Sequence, residues 1–142
     1  MSSYDSLYVA YLYYFNDQRD YFECHEVMEE LWLEEGRSPL YQGLLQVAVG
    51  LYHHANGNVS GSIKLFSAGL DKLAPYPAHT LGIDLERLIR DSGDYLTKLL
   101  RIEEEPFAPY DLNIHILDDE LGELLAQLKL HPPGQEEEEG HD

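Results

Sequence analysis

Apolar side chains recur along most of this chain every three to four residues, the period of an α-helix, and strand signals are poor. Leu7, Tyr11, Tyr14 and Phe15 mark one face of a first helix that ends near Asn16 and Asp17. Asp20, with Glu23 three positions on, reads as a capping box that opens a second helix running to about Glu35, with Gly36 as its stop. Ser38 and Pro39 are an N-cap and first position for a third helix over about Pro39 to Ala55. Asn56-Gly57-Asn58 is a turn with a cap for a fourth, carrying Ile63, Phe66, Leu70 and Leu73 and stopped by Pro75 and Pro77. Asp84 caps a fifth, with Leu85, Leu88, Ile89, Leu96 and Leu99, broken off by Pro106 and Pro109. A last helix is expected over about Leu117 to Leu130.

The third helix is apolar around most of its circumference, through Leu44, Leu45, Val47, Ala48, Val49 and Leu51. Such a helix is contacted from several sides and belongs at the centre. Short links make neighbours antiparallel, so the pattern predicts an all-α fold, a compact antiparallel bundle of about six helices arranged as hairpins. Helices two and three are the expected core pair, with helix four returning against helix three. Residues 1–130 are expected to form one domain. Residues 131–142, HPPGQEEEEGHD, have almost nothing to bury and are expected to be a disordered acidic tail.

Charge narrows the partners. The 27 acidic and nine basic side chains give a formal net charge of −18, which argues against a phosphate backbone and an anionic membrane surface. No stretch approaches the roughly 20 apolar residues of a spanning helix, and the opening residues, without a basic segment followed by an apolar run, are not expected to act as a secretory signal. A cytoplasmic protein is expected. Cys24 is the only cysteine, so no internal disulfide forms, and its neighbour His25 points elsewhere on a helix, which disfavours a Cys–His catalytic pair. Eleven tyrosines can line helix contacts while their hydroxyls stay bonded or wet, and they permit either a Tyr-rich core or a homodimer interface.

The candidate chemistry sits on the second helix. Phe22, His25, Met28, Glu29 and Trp32 share one side, with Glu23, Glu26, Glu30 and Glu34 on the wetter flank. The apolar neighbours predict a semi-buried His25–Glu29 pair, which must find partners. Gln42, Gln46, Val49 and His53 form a stripe on the third helix, and two amides on so greasy a helix call for partners of their own. The expected arrangement is a network of His25, Glu29, Gln42 and Gln46 between the two helices, joined by hydroxyls of Tyr21, Tyr41 or Tyr52. Imidazole and carboxylate are also metal ligands. Glu29 stands where a zinc-protease HExxH helix has its second histidine, so this helix offers a divalent metal two ligands at most, with His53, His54 or another carboxylate completing the shell. His79 and His115 fall in loops, and Arg37 is placed to support the end of the second helix.

His25, Glu29 and Trp32 match the H-x-x-x-E-x-x-W pattern of a small helical family known as domain of unknown function 309. The block Tyr21 to Trp32 is similar to the family's opening helix. Tyr41-Gln42-Gly43-Leu44-Leu45-Gln46 with Leu51-Tyr52-His53 resembles its second block, and Asn56-Gly57-Asn58, Gly61 and Leu65 resemble its next helix start. The likeness covers roughly residues 12 to 75. It implies an all-helical domain with a functional or metal-linked His–Glu pair and no particular activity. Two readings result. One is a binding or interaction module for a small polar ligand or a protein, built around His25, Glu29, Trp32, Gln42, Gln46 and His53. The other is a metal-dependent hydrolase using His25 and Glu29, with Glu26 or Glu29 as base or ligand. No complete catalytic set is legible.

Overall fold

The computed structural model, which describes residues 4–133, is built on six helices: α1 (Ser6–Tyr13), α2 (Tyr21–Glu34), α3 (Pro39–Ala55), α4 (Val59–Leu73), α5 (Leu85–Leu100) and α6 (Asp119–Leu130). They pack against one another as an all-α bundle. Most start at a side-chain cap that satisfies an otherwise orphaned N–H. Asp20 accepts from the Glu23 N–H, Asn58 from Gly61, Asp84 from Arg87 and Asp118 from Leu121. The last of these starts α6 two residues later than the pattern predicts, and the preceding Leu117 N–H is bound to the Gly82 carbonyl. The expected acidic tail, from residue 134 on, lies outside the described residues.

Helix α3 is central. It buries Leu40, Leu44, Val47, Ala48, Leu51 and His54 and lies between α2 on one side and α4 on the other. The α3–α4 contact is close because small residues line it. A Cβ at Gly50 would stand 2.8 Å from the Phe66 ring, and one at Gly69 3.1 Å from the Gly43 carbonyl oxygen. Gly61, by contrast, leaves room for the capping side chain of Asn58. Helix α1 brings Tyr8, Tyr11 and Leu12 into the core, followed by Phe15. Burial here keeps the tyrosine hydroxyls bonded: Tyr11 donates to the Leu44 carbonyl and Tyr8 to that of Leu81, each at 2.8 Å.

Two features depart from the simple helical reading. After α1 the chain widens into a π-helical turn, Tyr14–Gln18, which ends at Arg19 in the left-handed region. There Asn16 exchanges two hydrogen bonds with the backbone of Ile114, and the Arg19 guanidinium binds the Leu112 carbonyl. The segment between α5 and α6 is thereby stapled to this turn, with Leu112 and Ile114 buried. A two-residue antiparallel pair, β1 (His79–Thr80) and β2 (Ile83–Asp84), turns the chain between α4 and α5, and Ile83 also bridges Ile116. Among the described residues no helix is long and apolar enough to cross a membrane.

Candidate functional site

The buried stripe of α2 is Tyr21, Cys24, Met28 and Leu31. His25, Glu29 and Trp32 each follow a member of that stripe by one residue, a rotation of about 100°. They occupy its shoulder rather than the helix interface. His25 Nε2 lies 3.0 Å from Glu29 Oε2 and its Nδ1 3.3 Å from Glu26 Oε1. The His25 and Glu29 side chains are 36% and 48% exposed, so this is a surface contact worth a few tenths of a kcal/mol at most. The semi-buried pair expected from the sequence is corrected accordingly. Met28 belongs to the core, and Phe22 is half exposed.

The expected four-residue network is likewise replaced. Gln46 turns toward α4, where its Oε1 accepts from Lys72 Nζ at 3.1 Å. Of the tyrosines proposed to join it, Tyr21 donates instead to Asp111 Oδ1 at 2.6 Å. Burial first, then that carboxylate, raises the Tyr21 phenol above its ordinary range. Trp32 lies beneath Arg37, whose guanidinium carbon is 5.3 Å from the ring centroid, and its Nε1 is buried with no acceptor in reach among the described residues. Arg37 thus supports the end of α2 by covering an indole.

What α2 and α3 do bring together is a surface hollow of about 300 Å³, lined by Tyr21, Phe22, His25, Val49, Tyr52 and His53. Of the residues expected at a site, His25 and His53 meet there, while Glu29, Trp32, Gln42 and Gln46 are outside its wall. The Phe22 and Tyr52 rings stand 6.1 Å apart, as do those of Tyr52 and His53. Phe22 and Tyr52 are 50% and 37% exposed, so two aromatic faces meet water side by side. The sequence marks Tyr21 and Tyr52 only as hydroxyl partners of a polar network, and Phe22 and Val49 only by their helical spacing from His25 and His53; it carries no signal that they wall a hollow.

The second histidine of the His53-His54 pair goes the other way. His54 is buried, its Nδ1 2.5 Å from Tyr95 Oη, and its ring packs on Phe107. Burial pushes the Tyr95 phenol up to about 12 and lowers the imidazole. The hydroxyl therefore keeps its proton, and it shares with the ring one hydrogen bond whose donor is set by the imidazole tautomer. This pair is structural. Cys24 is also buried, beside the Tyr11 carbonyl, and its thiol is raised by burial. His79 is exposed in β1, and the backbone carbonyl of His115 accepts from Asp84. Among the described residues no three His, Cys, Asp or Glu side chains gather as a metal ion requires. His54, one of the histidines expected to complete a shell, is in the core.

Residues 8–65 match the family model of DUF309, a domain of unknown function. The DUF309 match begins and ends earlier than the resemblance over 12–75, and it contains every residue that lines the hollow. The uncharacterized protein YpuF of Bacillus subtilis (strain 168) is 41% identical over 91 residues, 61% of this chain and 52% of that protein. The chain thus spans about half the length of this curated relative. No solved structure matches.

Proposed function

We propose that this domain is a protein-interaction module whose recognition surface is the hollow between α2 and α3. One observation carries the reading: two helices turn two imidazoles and two exposed aromatic rings onto one concave patch. Paired aromatic surface in a hollow is what binding interfaces use as anchor points. The core histidine and cysteine are sealed, whereas His25 and His53 line this patch. A net charge of −18 favours a protein over a nucleic acid as partner. The reading takes residues 1–130 as one domain acting in the cytoplasm.

The test is a titration of the isotopically labelled chain with ten-residue synthetic peptides that carry Leu, Phe, Arg or Glu at alternate positions, followed by amide and aromatic chemical shifts. Saturable shifts clustered on Tyr21 to His25 and Val49 to His53 are expected with at least one peptide. They should vanish in the Phe22→Ser, Tyr52→Ser double variant. Clustered shifts with none of the peptides, or shifts indifferent to the double variant, overturn the reading.

A further inference from the structure

The hollow carries a chemical preference, and we infer that it accepts the cationic side chain of an arginine or lysine from a basic segment of the partner; this rests on the reading of the hollow as a recognition surface. Its lining includes the aromatic side chains of Tyr21, Phe22 and Tyr52, and two carboxylates contact His25, a lining residue. These are Glu26 and Glu29, on its two ring nitrogens, with side chains 53% and 48% exposed. Asp111 is bound to the hydroxyl of Tyr21. A planar guanidinium or an ammonium between π faces is attracted by the ring quadrupole, and a carboxylate within reach fixes its head.

The molecule shows the same chemistry elsewhere. Arg37 covers Trp32, and Lys98 Nζ sits 4.6 Å from the centroid of Tyr110. Arg19, beside Asp111, is already bound to the Leu112 carbonyl and Asn113. At Glu29 the group now held is the His25 ring nitrogen, 3.0 Å away, and an incoming guanidinium can replace it with a permanent charge and a two-pronged geometry. The charge of −18 draws basic segments toward the whole surface, and the aromatic hollow gives them one place to stop. An anionic side chain would meet Glu26 and Glu29, and a purely apolar one would leave those carboxylates unused.

The experiment compares three peptides of one sequence, Gly-Leu-Xaa-Leu-Gly with blocked ends, in which Xaa is arginine, its neutral isostere citrulline, or glutamate. Binding to the full chain is followed by chemical shift. The arginine peptide is expected to move Phe22, His25, Tyr52 and His53, with the citrulline peptide about tenfold weaker at the same residues and the glutamate peptide weaker still. A Glu26→Gln, Glu29→Gln double variant should lose that tenfold for arginine and keep the citrulline affinity. Equal affinity for arginine and citrulline would overturn the cationic preference and leave the recognition surface standing. Shifts from the arginine peptide spread over other acidic faces would also overturn it. No shift at the hollow with any peptide, here or in the wider panel, removes both conclusions together.

Discussion

His25 and Glu29 illustrate how much one step of rotation decides. Placed one residue beyond Cys24 and Met28, they reach water, and their contact is the surface kind. Glu29→Ala is therefore expected to lower unfolding free energy by less than about 0.5 kcal/mol in urea melts. A loss of 2 kcal/mol or more would restore the buried-network picture. His54 makes the opposite case. Burial lowers its pKa from the ordinary 6.5, so the unfolded chain binds the proton more readily than the fold does. Stability is complete above pH 6.5 and declines as pH falls toward the lowered value. His54→Gln should cost about 1–2 kcal/mol at pH 8 through the Tyr95 hydrogen bond. The gap to the natural protein should narrow in melts between pH 8 and pH 5, and a constant gap would show that this imidazole does not titrate with unfolding.

At the scale of elements, caps and small residues set the helices and their spacing. Asp20→Ala removes the acceptor for the Glu23 N–H at the start of α2, and about 1 kcal/mol of stability should go with it. That helix carries half of the hollow, so fraying its first turn should also broaden the Phe22 and His25 signals. Gly50→Ala forces a methyl group toward the buried Phe66 ring at 2.8 Å. A well-packed contact resists such overpacking by about 1–3 kcal/mol. A thermal melt of this variant equal to that of the natural protein would mean that α3 and α4 separate freely. The π-helical turn after α1 belongs at this scale too, since Asn16 and Arg19 use it to hold the segment before α6.

For the whole molecule, 18 excess negative charges repel one another in any compact shape. Salt screens that repulsion over distances of about 10 Å at 0.1 M. The melting temperature should rise by several degrees between 20 mM and 500 mM sodium chloride, while affinity for a basic peptide falls. A melting temperature that drops with salt would show that specific ion pairs outweigh the net field. The exposed pairs, such as Arg101 with Glu105 and Lys129 with Asp17, are too few and too wet for that.

Helical periodicity, the capping residues Asp20, Asn58 and Asp84, and the apolar girth of α3 were enough to order six helices and to put α3 at the centre, because those signals act within a turn or two of the chain. The place of His25 and His53 in a common hollow was half legible, from the stripe that runs along each helix. Which side of α2 is buried was not, since the stripes through Cys24 and through His25 both hold apolar residues and only the packing of α1 and α3 chooses between them. The fate of Gln46, drawn away by Lys72 of α4, and the stapling of Leu112 and Ile114 by Asn16 and Arg19 depend on partners 26 or more residues distant. Local chemistry fixes where a helix begins and ends; the rotation of one helix against the next is set by how all the faces close around a shared core, and that decides which side chains are left facing water to meet a partner.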